Sequence, residues 1–476
     1  MRRFQRLLGV GLVALLSVVA CRRSPVDSSL ATPGAPVVLI SIDTLRSDRL
    51  PSYGYEGVET PAIDSLVGDG ILFEQAFTHY PLTLPSHISL LTGLLPDRHG
   101  VRDNLGYPFA SSEFPYLPRF FKELGYATGG AVSAFVLRGD TGIAAEFDVF
   151  EDEILFREWV PGGDLSRRGD ETLAAILPWL RSVAGQPFFL FFHIYEPHTP
   201  YEAPEPFASK YPRPYDAEVA AADAVVGELL GELKSLGVYD QAIVILLSDH
   251  GEGLGEHGEQ EHGVLLYREG LQVPLVLKLP GQRHAGTSVA TPAQLVDVAP
   301  TLMELVGVGR SEDMPGASLL SLADAEAPRK VYAETFYGRL HYGWSDLASV
   351  VEGRFHYIHG PDPELYDLLE DPGETRNILR EERRTFAALR DHLENFQREL
   401  VPPESVDEET RMKLAALGYL DANFGDTSGP LPDPKTRLAT LDDLWAALEL
   451  RREGRPEEAE AAARRALAEN PDMADA

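Results

Sequence analysis

The sequence predicts an α/β fold in which helices flank a mainly parallel central sheet, followed by a smaller antiparallel subdomain and a helical hairpin. Continuous apolar, β-branched runs, such as PVVLISI at 36–42, are typical of strands buried on both faces of a parallel sheet. Helical patterns, such as 216–236, alternate with these runs. After about residue 330, short strand-like segments separated by turns replace that alternation.

Two aspartates follow the carboxyl ends of predicted strands in the α/β part of the chain. Asp43 follows the first strand and Asp249 follows the fourth. In a parallel α/β sheet, ligands bind beyond the carboxyl ends of the strands, so we expect these two side chains to converge. The predicted strands are 36–42, 126–132, 187–194, 242–247 and 274–279.

The composition sets limits on partners. The chain has 476 residues, 44% of them hydrophobic, so it can bury a sizeable globular core. Its formal net charge of -32 repels nucleic acid, and no nucleic-acid partner is expected. An anionic substrate must therefore be attracted locally, by a metal ion or by a group of histidines.

The N-terminus has the pattern of an export signal. Basic residues precede an apolar run at 7–19, and VVAC at 18–21 resembles a bacterial lipobox. Cys21 is the single cysteine of the chain. We expect a lipoprotein signal peptide at 1–21, a lipidated Cys21 that attaches the exported protein to the cell envelope (periplasm or outer membrane in a Gram-negative cell), and a polar tether at 22–34. The alternative is an uncleaved anchor helix.

The remaining chain divides by composition. We expect a main α/β domain at 35–325, a subdomain at 326–400, a linker at 401–440 and a helical hairpin at 441–476. The small residues of the hairpin resemble those of a tetratricopeptide repeat, which would imply a protein partner. An ordinary amphipathic hairpin is the alternative, because a lone repeat cannot bury its own face.

The segment SDHGE at 248–252 has residues that suit a metal. Asp249 and His250 offer one oxygen and one nitrogen, and Gly251 allows the backbone to turn sharply. Asp43 is a third candidate ligand. The alternative for each is a turn or a helix cap.

A second segment, TLPSHISLLTG at 83–93, suggests a nucleophile. Thr83 stands just before a predicted helix, where free N–H groups and the helix dipole favour an oxyanion. A threonine hydroxyl is a weak nucleophile, and metal coordination would activate it. The alternative is that Thr83 or Ser86 only caps the helix.

Seven ordered segments resemble the sulfatase family of the alkaline phosphatase superfamily, over roughly residues 36–420. The resemblance implies the fold of that family and an activity on sulfate or phosphate esters. The segments are SIDTLRSDRLPSYGY (41–55), ETPAIDSLVGDGILFEQAF (59–77), LPSHISLLTGLLPDRHG (84–100), YEPHTPY (195–201), SDHGEGLGEHG (248–258), VDVAPTLMELVG (296–307) and ELYDLLEDPGETRN (364–377).

The resemblance implies a metal site and a nucleophile. Asp43, Asp249 and His250 would bind one divalent cation, with Thr83 as both ligand and nucleophile. Calcium is the ion that family members use, whereas the nitrogen of His250 shifts the preference toward manganese or zinc.

The resemblance also implies roles for histidines. His198 and His262 stand where family members place groups that contact the ester oxygens or the leaving group. His87, four residues after Thr83, is expected to reach the oxyanion. His193 is interpreted as a core residue and His257 as a scaffold residue.

The nucleophile departs from the family pattern. Sulfatases typically carry Cys-x-Pro-Ser-Arg, whose cysteine becomes formylglycine, whereas residues 83–87 read TLPSH. Threonine is not a formylglycine precursor, so the family indicates a sulfatase while the nucleophile favours phosphate or phosphonate esters. Two alternatives stay open: a phosphotransferase of the phosphoethanolamine or glycerophosphate type, and a catalytically silent scaffold lipoprotein.

Overall fold

A computed structural model describes residues 30–154, 166–324, 328–404, 430–471 and 473. The predicted signal peptide with Cys21 lies outside these residues, as do residues 22–29 of the predicted tether and 405–429 of the predicted linker. Residues 30–34, the end of the predicted tether, lie against the fold: Leu30 is buried, and the Thr32 N–H donates to the Leu305 carbonyl at 2.6 Å.

An eight-stranded sheet forms the centre of the molecule, in the order β10-β2-β9-β7-β1-β6-β4-β5. All five predicted strands form, as β1, β4, β6, β7 and β9, and β9 runs antiparallel to β7. The strands in chain order are β1 Val37–Ile42, β2 Ile71–Phe73, β3 Ala76–Phe77, β4 Ala127–Ala131, β5 Val149–Glu151, β6 Phe188–Ile194, β7 Ile243–Ser248, β8 Gln272–Val273, β9 Leu275–Lys278, β10 Thr287–Val289, β11 Ala293–Gln294, β12 Lys330–Thr335, β13 Leu347–Glu352, β14 Phe355–His359 and β15 Glu364–Asp367.

Helices cover both faces of this sheet. Alternate residues of β1 belong to two separate apolar clusters, because successive side chains of a strand point to opposite faces. One cluster packs against α2, α4 and α9, the other against α1, α5 and α7. The α-helices are α1 Pro61–Asp69, α2 Thr83–Thr92, α3 Pro96–His99, α4 Leu117–Glu123, α5 Gly169–Val183, α6 Phe207–Lys210, α7 Pro214–Ser235, α8 Arg268–Leu271, α9 Val298–Leu305, α10 Tyr337–Tyr342, α11 Arg383–Leu393, α12 Asp442–Arg452 and α13 Pro456–Glu469.

The C-terminal part forms the expected separate antiparallel sheet, in the order β12-β13-β14-β15. Helices α12 and α13 pair as a hairpin that packs against the C-terminal sheet and residues 264–271. Leu441 and Leu444 join the apolar cluster of Leu265 and Trp344, and the Asn470 amide donates to the Tyr342 carbonyl at 2.9 Å. Within the described ranges, no helix has the length and apolar character needed to cross a membrane.

Candidate active site

The expected metal ligands meet at the carboxyl edge of the central sheet. Strands β1 and β7 are parallel neighbours in which Ile42 pairs with Ser248, so Asp43 and Asp249 leave the sheet side by side. His250 Nε2 lies 3.6 Å from Asp43 Oδ1 and 3.5 Å from Asp249 Oδ2. All three side chains are fully buried. The strand register therefore creates the cluster.

The chemistry of this cluster fits a divalent cation. Both Asp43 carboxylate oxygens and Asp249 Oδ2 are buried without a hydrogen-bond partner among the described residues. Burial raises the pKa of each carboxyl to about 7 when no cation offsets its charge. His250 Nδ1 donates to the Gly251 carbonyl at 2.9 Å, which leaves the Nε2 lone pair directed at the two carboxylates. Ligand atoms of the three residues lie within 4.8 Å of one another.

Thr83 lies beside this cluster as the first residue of α2, one position further into the helix than expected. Its hydroxyl is 3.3 Å from His250 Nε2, and the residue is 2% exposed. Ser86 fixes the helix start to the end of β7, because its hydroxyl donates to the Asp249 carbonyl at 2.7 Å. The nucleophile candidate and the metal-ligand candidates are thus brought together.

His87 has a different position from the one expected. Nδ1 donates to the Thr83 carbonyl at 2.7 Å, and Nε2 lies 2.9 Å from the Ser41 hydroxyl. The residue is fully buried, and burial lowers the pKa of its imidazole to about 4. Both ring nitrogens thus bond to protein atoms beneath Thr83 in this structure, and the expected contact of His87 with the substrate oxyanion stays a prediction.

His193, interpreted from the sequence as a core residue, is buried in β6 but also borders the cluster. The Ser133 N–H donates to its Nδ1 at 3.4 Å, and its Nε2 lies 3.3 Å from Asp43 Oδ2. His193 therefore lies next to Asp43 without a hydrogen bond to its carboxylate. His87, His193 and Asp249 also lie close enough to share an ion. However, both ring nitrogens of His87 already hydrogen-bond to Thr83 and Ser41, so the structure favours one cation site.

His198 and His262 lie together on one side of His250. The ring of His262 is 4.4 Å from the ring of His250 and 5.0 Å from that of His198. His198 Nδ1 donates to the Thr199 carbonyl at 2.5 Å, and burial followed by the neighbouring His262 lowers the His198 pKa well below its usual range. His262 Nδ1 lies 2.8 Å from Glu252 Oε1. In both histidines, Nδ1 contacts a protein oxygen, and Nε2 is the nitrogen that is left for the substrate.

Two further residues of this region had no role in the sequence interpretation. Glu252 is fully buried behind His262, and burial raises the pKa of its carboxyl well above the usual value. In the sequence, the only feature that could have indicated Glu252 is its position in the Gly-rich turn at 251–258, after Asp249. Asn104 Oδ1 accepts from the Leu84 N–H at 2.9 Å, and its Nδ2 is buried without a partner among the described residues. No sequence pattern marked Asn104.

His257 lies outside the cluster. Its Nδ1 is 2.6 Å from Glu269 Oε1 and its Nε2 is 3.2 Å from the Glu374 carbonyl. Desolvation opposes its charge, but the hydrogen bond and charge of Glu269 outweigh it and raise the pKa to about 9. His257 therefore favours its charged form and connects the turn after β7 to α8 and to the segment after β15.

The fold is that of the alkaline phosphatase-like superfamily. The family model "Sulfatase" matches residues 36–308, and the model "N-sulphoglucosamine sulphohydrolase, C-terminal" matches residues 255–399. The chain belongs to the sulfatase family. It is therefore an enzyme of the class that hydrolyses sulfuric or phosphoric esters.

Curated relatives and solved structures agree with this assignment. Arylsulfatase K of Xenopus laevis is 24% identical over 433 residues, covering 73% of this chain and 79% of that protein. Human iduronate 2-sulfatase is 26% identical over 394 residues, covering 63% and 70%. The crystal structure of phosphonate monoester hydrolase of Agrobacterium radiobacter superposes with a TM-score of 0.63 at 22% identity, covering 76% of this chain and 94% of that one.

Proposed function

We propose that the chain hydrolyses phosphonate and phosphate esters in preference to sulfate esters, with Thr83 as the nucleophile. The observation that carries this proposal is the position of the Thr83 hydroxyl, 3.3 Å from His250 Nε2 at the first residue of α2. Helix N-termini bind oxyanions through their free N–H groups. This is the position that formylglycine occupies in sulfatases of the Cys-x-Pro-Ser-Arg pattern.

The identity of residue 83 determines which ester turns over. A formylglycine hydrate can expel sulfate by breaking its own C–O bond. A threonine ester has no second hydroxyl for that step, so release requires a second attack at sulfur or phosphorus. Phosphorus accepts two successive in-line displacements readily. Threonine at this position therefore favours phosphorus esters.

The residues that would bind the cation are Asp43, Asp249, His250 and Thr83. A bound divalent cation acts as a Lewis acid toward the ester oxygens and the attacking hydroxyl. One imidazole, two carboxylates and a hydroxyl suit manganese or zinc, while calcium is the alternative that the family implies. Asn104 Nδ2, buried near the start of α2, is a candidate donor to an oxygen of the substrate.

Proton transfer falls to the two histidines beside the cluster. Because Glu252 engages His262 Nδ1, we assign His262 Nε2 as the donor to the leaving oxygen. Burial lowers the pKa of His262 to about 4, so this role requires the negative charge of the bound ester to raise it. His198 donates from Nδ1 to Thr199, so its neutral form has a lone pair at Nε2 that can accept a proton from water. Water then releases the Thr83 ester.

A substrate panel tests this proposal. Purified protein is assayed on a phosphonate monoester, a phosphodiester, a phosphate monoester and an aryl sulfate that share one leaving group, with manganese, zinc or calcium added. We expect the phosphonate monoester or the phosphodiester to turn over fastest, and all turnover to vanish in Thr83→Ala. The proposal would be overturned if the aryl sulfate were hydrolysed faster than the other three esters. It would also be overturned if Thr83→Ala still hydrolysed the aryl sulfate.

A further inference from the structure

The first turn of α2 has few backbone N–H groups left for an oxyanion. The Leu84 N–H donates to Asn104 Oδ1 at 2.9 Å, and Pro85 has no N–H. The Ser86 N–H donates to the Leu82 carbonyl at 3.1 Å. Three of the first four residues of α2 therefore offer no free N–H, so an ester bound there needs a further donor.

The side-chain amide of Asn104 can replace the donor that it occupies. Because the Leu84 N–H can only donate, the atom that faces it is the amide oxygen, which identifies the other atom as Nδ2. Asn104 is buried, and Nδ2 has no hydrogen-bond partner among the described residues. A hydrogen bond accepted by the oxygen polarises the amide and strengthens its N–H groups as donors. The usefulness of Nδ2 then depends on how firmly Asn104 is held.

Asn104 is held through the carboxylate of the preceding residue. The backbone N–H of Asn104 donates to Asp103 Oδ1 at 2.6 Å. The other oxygen, Asp103 Oδ2, lies 2.7 Å from His341 Nε2, 238 positions further along the chain. Asp103 and His341 are both buried, so the rotation of the carboxylate is set by these two contacts. The carboxylate therefore connects the backbone of Asn104 to the C-terminal part of the protein.

The helix that carries His341 also supports the other side of the candidate site. His341 lies in α10, which connects β12 to β13, and its ring stacks on that of Tyr337 with a centroid distance of 4.2 Å. A Cβ added to Gly263, the residue after His262, would lie only 3.2 Å from Tyr337 Cγ. Helix α10 thus contacts the sequence neighbours of both Asn104 and His262.

We propose that His341 is a positioning residue of the candidate active site: it fixes the Asp103 carboxylate, which holds the Asn104 amide so that Nδ2 donates to an ester oxygen. His341 makes no contact with the ester in this role. Three observations carry the inference: the occupied N–H groups of α2, the buried Nδ2 without a partner, and the buried bridge from His341. It rests on the proposed function, since the ester must bind at the start of α2.

Two amide substitutions that differ in length test the bridge. In His341→Gln the amide nitrogen can take the place of Nε2 and donate to Asp103, whereas in His341→Asn the amide is too short to reach it. With the best ester of the panel, we expect His341→Asn to lower kcat about tenfold with KM nearly unchanged. His341→Gln should keep most of the wild-type kcat. Equal losses in the two variants, or no loss in His341→Asn, would overturn the inference.

A double-mutant cycle tests whether His341 acts through Asn104. Asn104→Ala removes the donor itself, and we expect kcat to fall about 100-fold. If the only effect of His341 on catalysis passes through that amide, adding His341→Asn to Asn104→Ala should lower kcat by less than about twofold more. A further tenfold fall in the double variant would overturn the inference, because a general disturbance of the fold would add to the loss of the donor.

Binding without turnover separates this inference from the proposed function. Orthovanadate, a mimic of the transition state of phosphoryl transfer, is titrated calorimetrically into the wild type and the same variants with manganese present. We expect Asn104→Ala and His341→Asn to weaken binding about tenfold and His341→Gln to preserve it. That result would support the inference even if the aryl sulfate proved the best ester. Turnover that depends on Thr83, together with vanadate binding and kcat that are unchanged in His341→Asn, would overturn the inference and leave the proposed function intact.

Discussion

At the scale of single residues, the site gathers buried polar atoms that the protein does not satisfy itself. The Asp43 carboxylate has no hydrogen-bond partner among the described residues, although it is fully buried. Such a group is costly unless a cation or a proton offsets its charge. Asp43, Asp249 and His250 were predictable because each follows a strand in a recognisable segment. His193 was not, because its contact with Asp43 depends on the pairing of β1 with β6.

The first prediction concerns metal-dependent stability. Manganese added to chelator-treated wild type should raise the Tm, because a ligand that binds only the folded state stabilises it. Asp43→Asn should weaken metal binding by about tenfold or more and lose most of that rise. Differential scanning calorimetry with and without metal measures both. Asp223→Asn is the matched control: this buried carboxylate accepts from the N–H groups of Ala62 and Ile63, away from the site.

In Asp223→Asn, the Tm should fall by the same amount with and without metal, so the rise in Tm that metal produces should be unchanged. A full rise in Asp43→Asn would show that the cation binds elsewhere.

The second prediction separates the two roles considered for His87. Because its ring bonds to the Thr83 carbonyl and the Ser41 hydroxyl, His87→Gln should misplace the nucleophile. We expect kcat to fall by about tenfold or more with KM nearly unchanged. Steady-state kinetics on the best ester of the panel measure the two constants. A large rise in KM with kcat retained would instead support direct substrate binding.

At the scale of elements, the site depends on where β1, β7 and α2 begin and end. The apolar runs predicted both strands, and the residues after Leu82 predicted the helix. The direction of β9 was not predictable, since an apolar run of that length has the same pattern in either orientation. The turn after β7 is held in place by His257, whose contacts with Glu269 and Glu374 come from distant segments.

The third prediction follows from the charge of His257. Its folded-state pKa is about 9 against an ordinary value of 6.5, so its stabilisation is complete below 6.5 and is lost as pH rises through 9. His257→Gln should therefore cost about 2 kcal/mol more near pH 6 than near pH 10, after allowance for partial exposure. Urea unfolding at the two pH values measures the difference. A cost that is constant with pH would contradict a charged His257.

At the scale of the whole molecule, a buried ion pair connects the segment after α3 to the C-terminal sheet. Arg102 Nε lies 2.7 Å from Glu334 Oε1 on β12, and its two terminal nitrogens donate to the carbonyls of Gln397 and Glu399. The two-part architecture was predictable from the change of pattern near residue 330. This pairing was not, because it joins residues 232 positions apart and neither stands in a motif. The contacts of the C-terminal hairpin were not predictable either, because they also join segments that are far apart in the sequence.

The fourth prediction tests that connection. Arg102→Met removes the partner of a buried carboxyl, and the free energy of unfolding should fall by about 3 kcal/mol. Equilibrium unfolding in urea measures it. Arg181→Met is the control, because Arg181 pairs with Glu232 on the surface and should change stability little. Equal losses in the two variants would contradict the role of the buried pair.

The central claim is that Thr83 forms a covalent intermediate in a sulfatase-family hydrolase, and direct detection of that intermediate tests it. Wild-type protein and His198→Ala are mixed with the best ester of the panel, quenched in acid and digested, and the peptide that contains Thr83 is analysed by mass spectrometry. The account predicts that this peptide gains the mass of the transferred phosphonyl or phosphoryl group, with more adduct when His198 is removed. Turnover with the adduct on another residue, or undiminished turnover in Thr83→Ala, would contradict it.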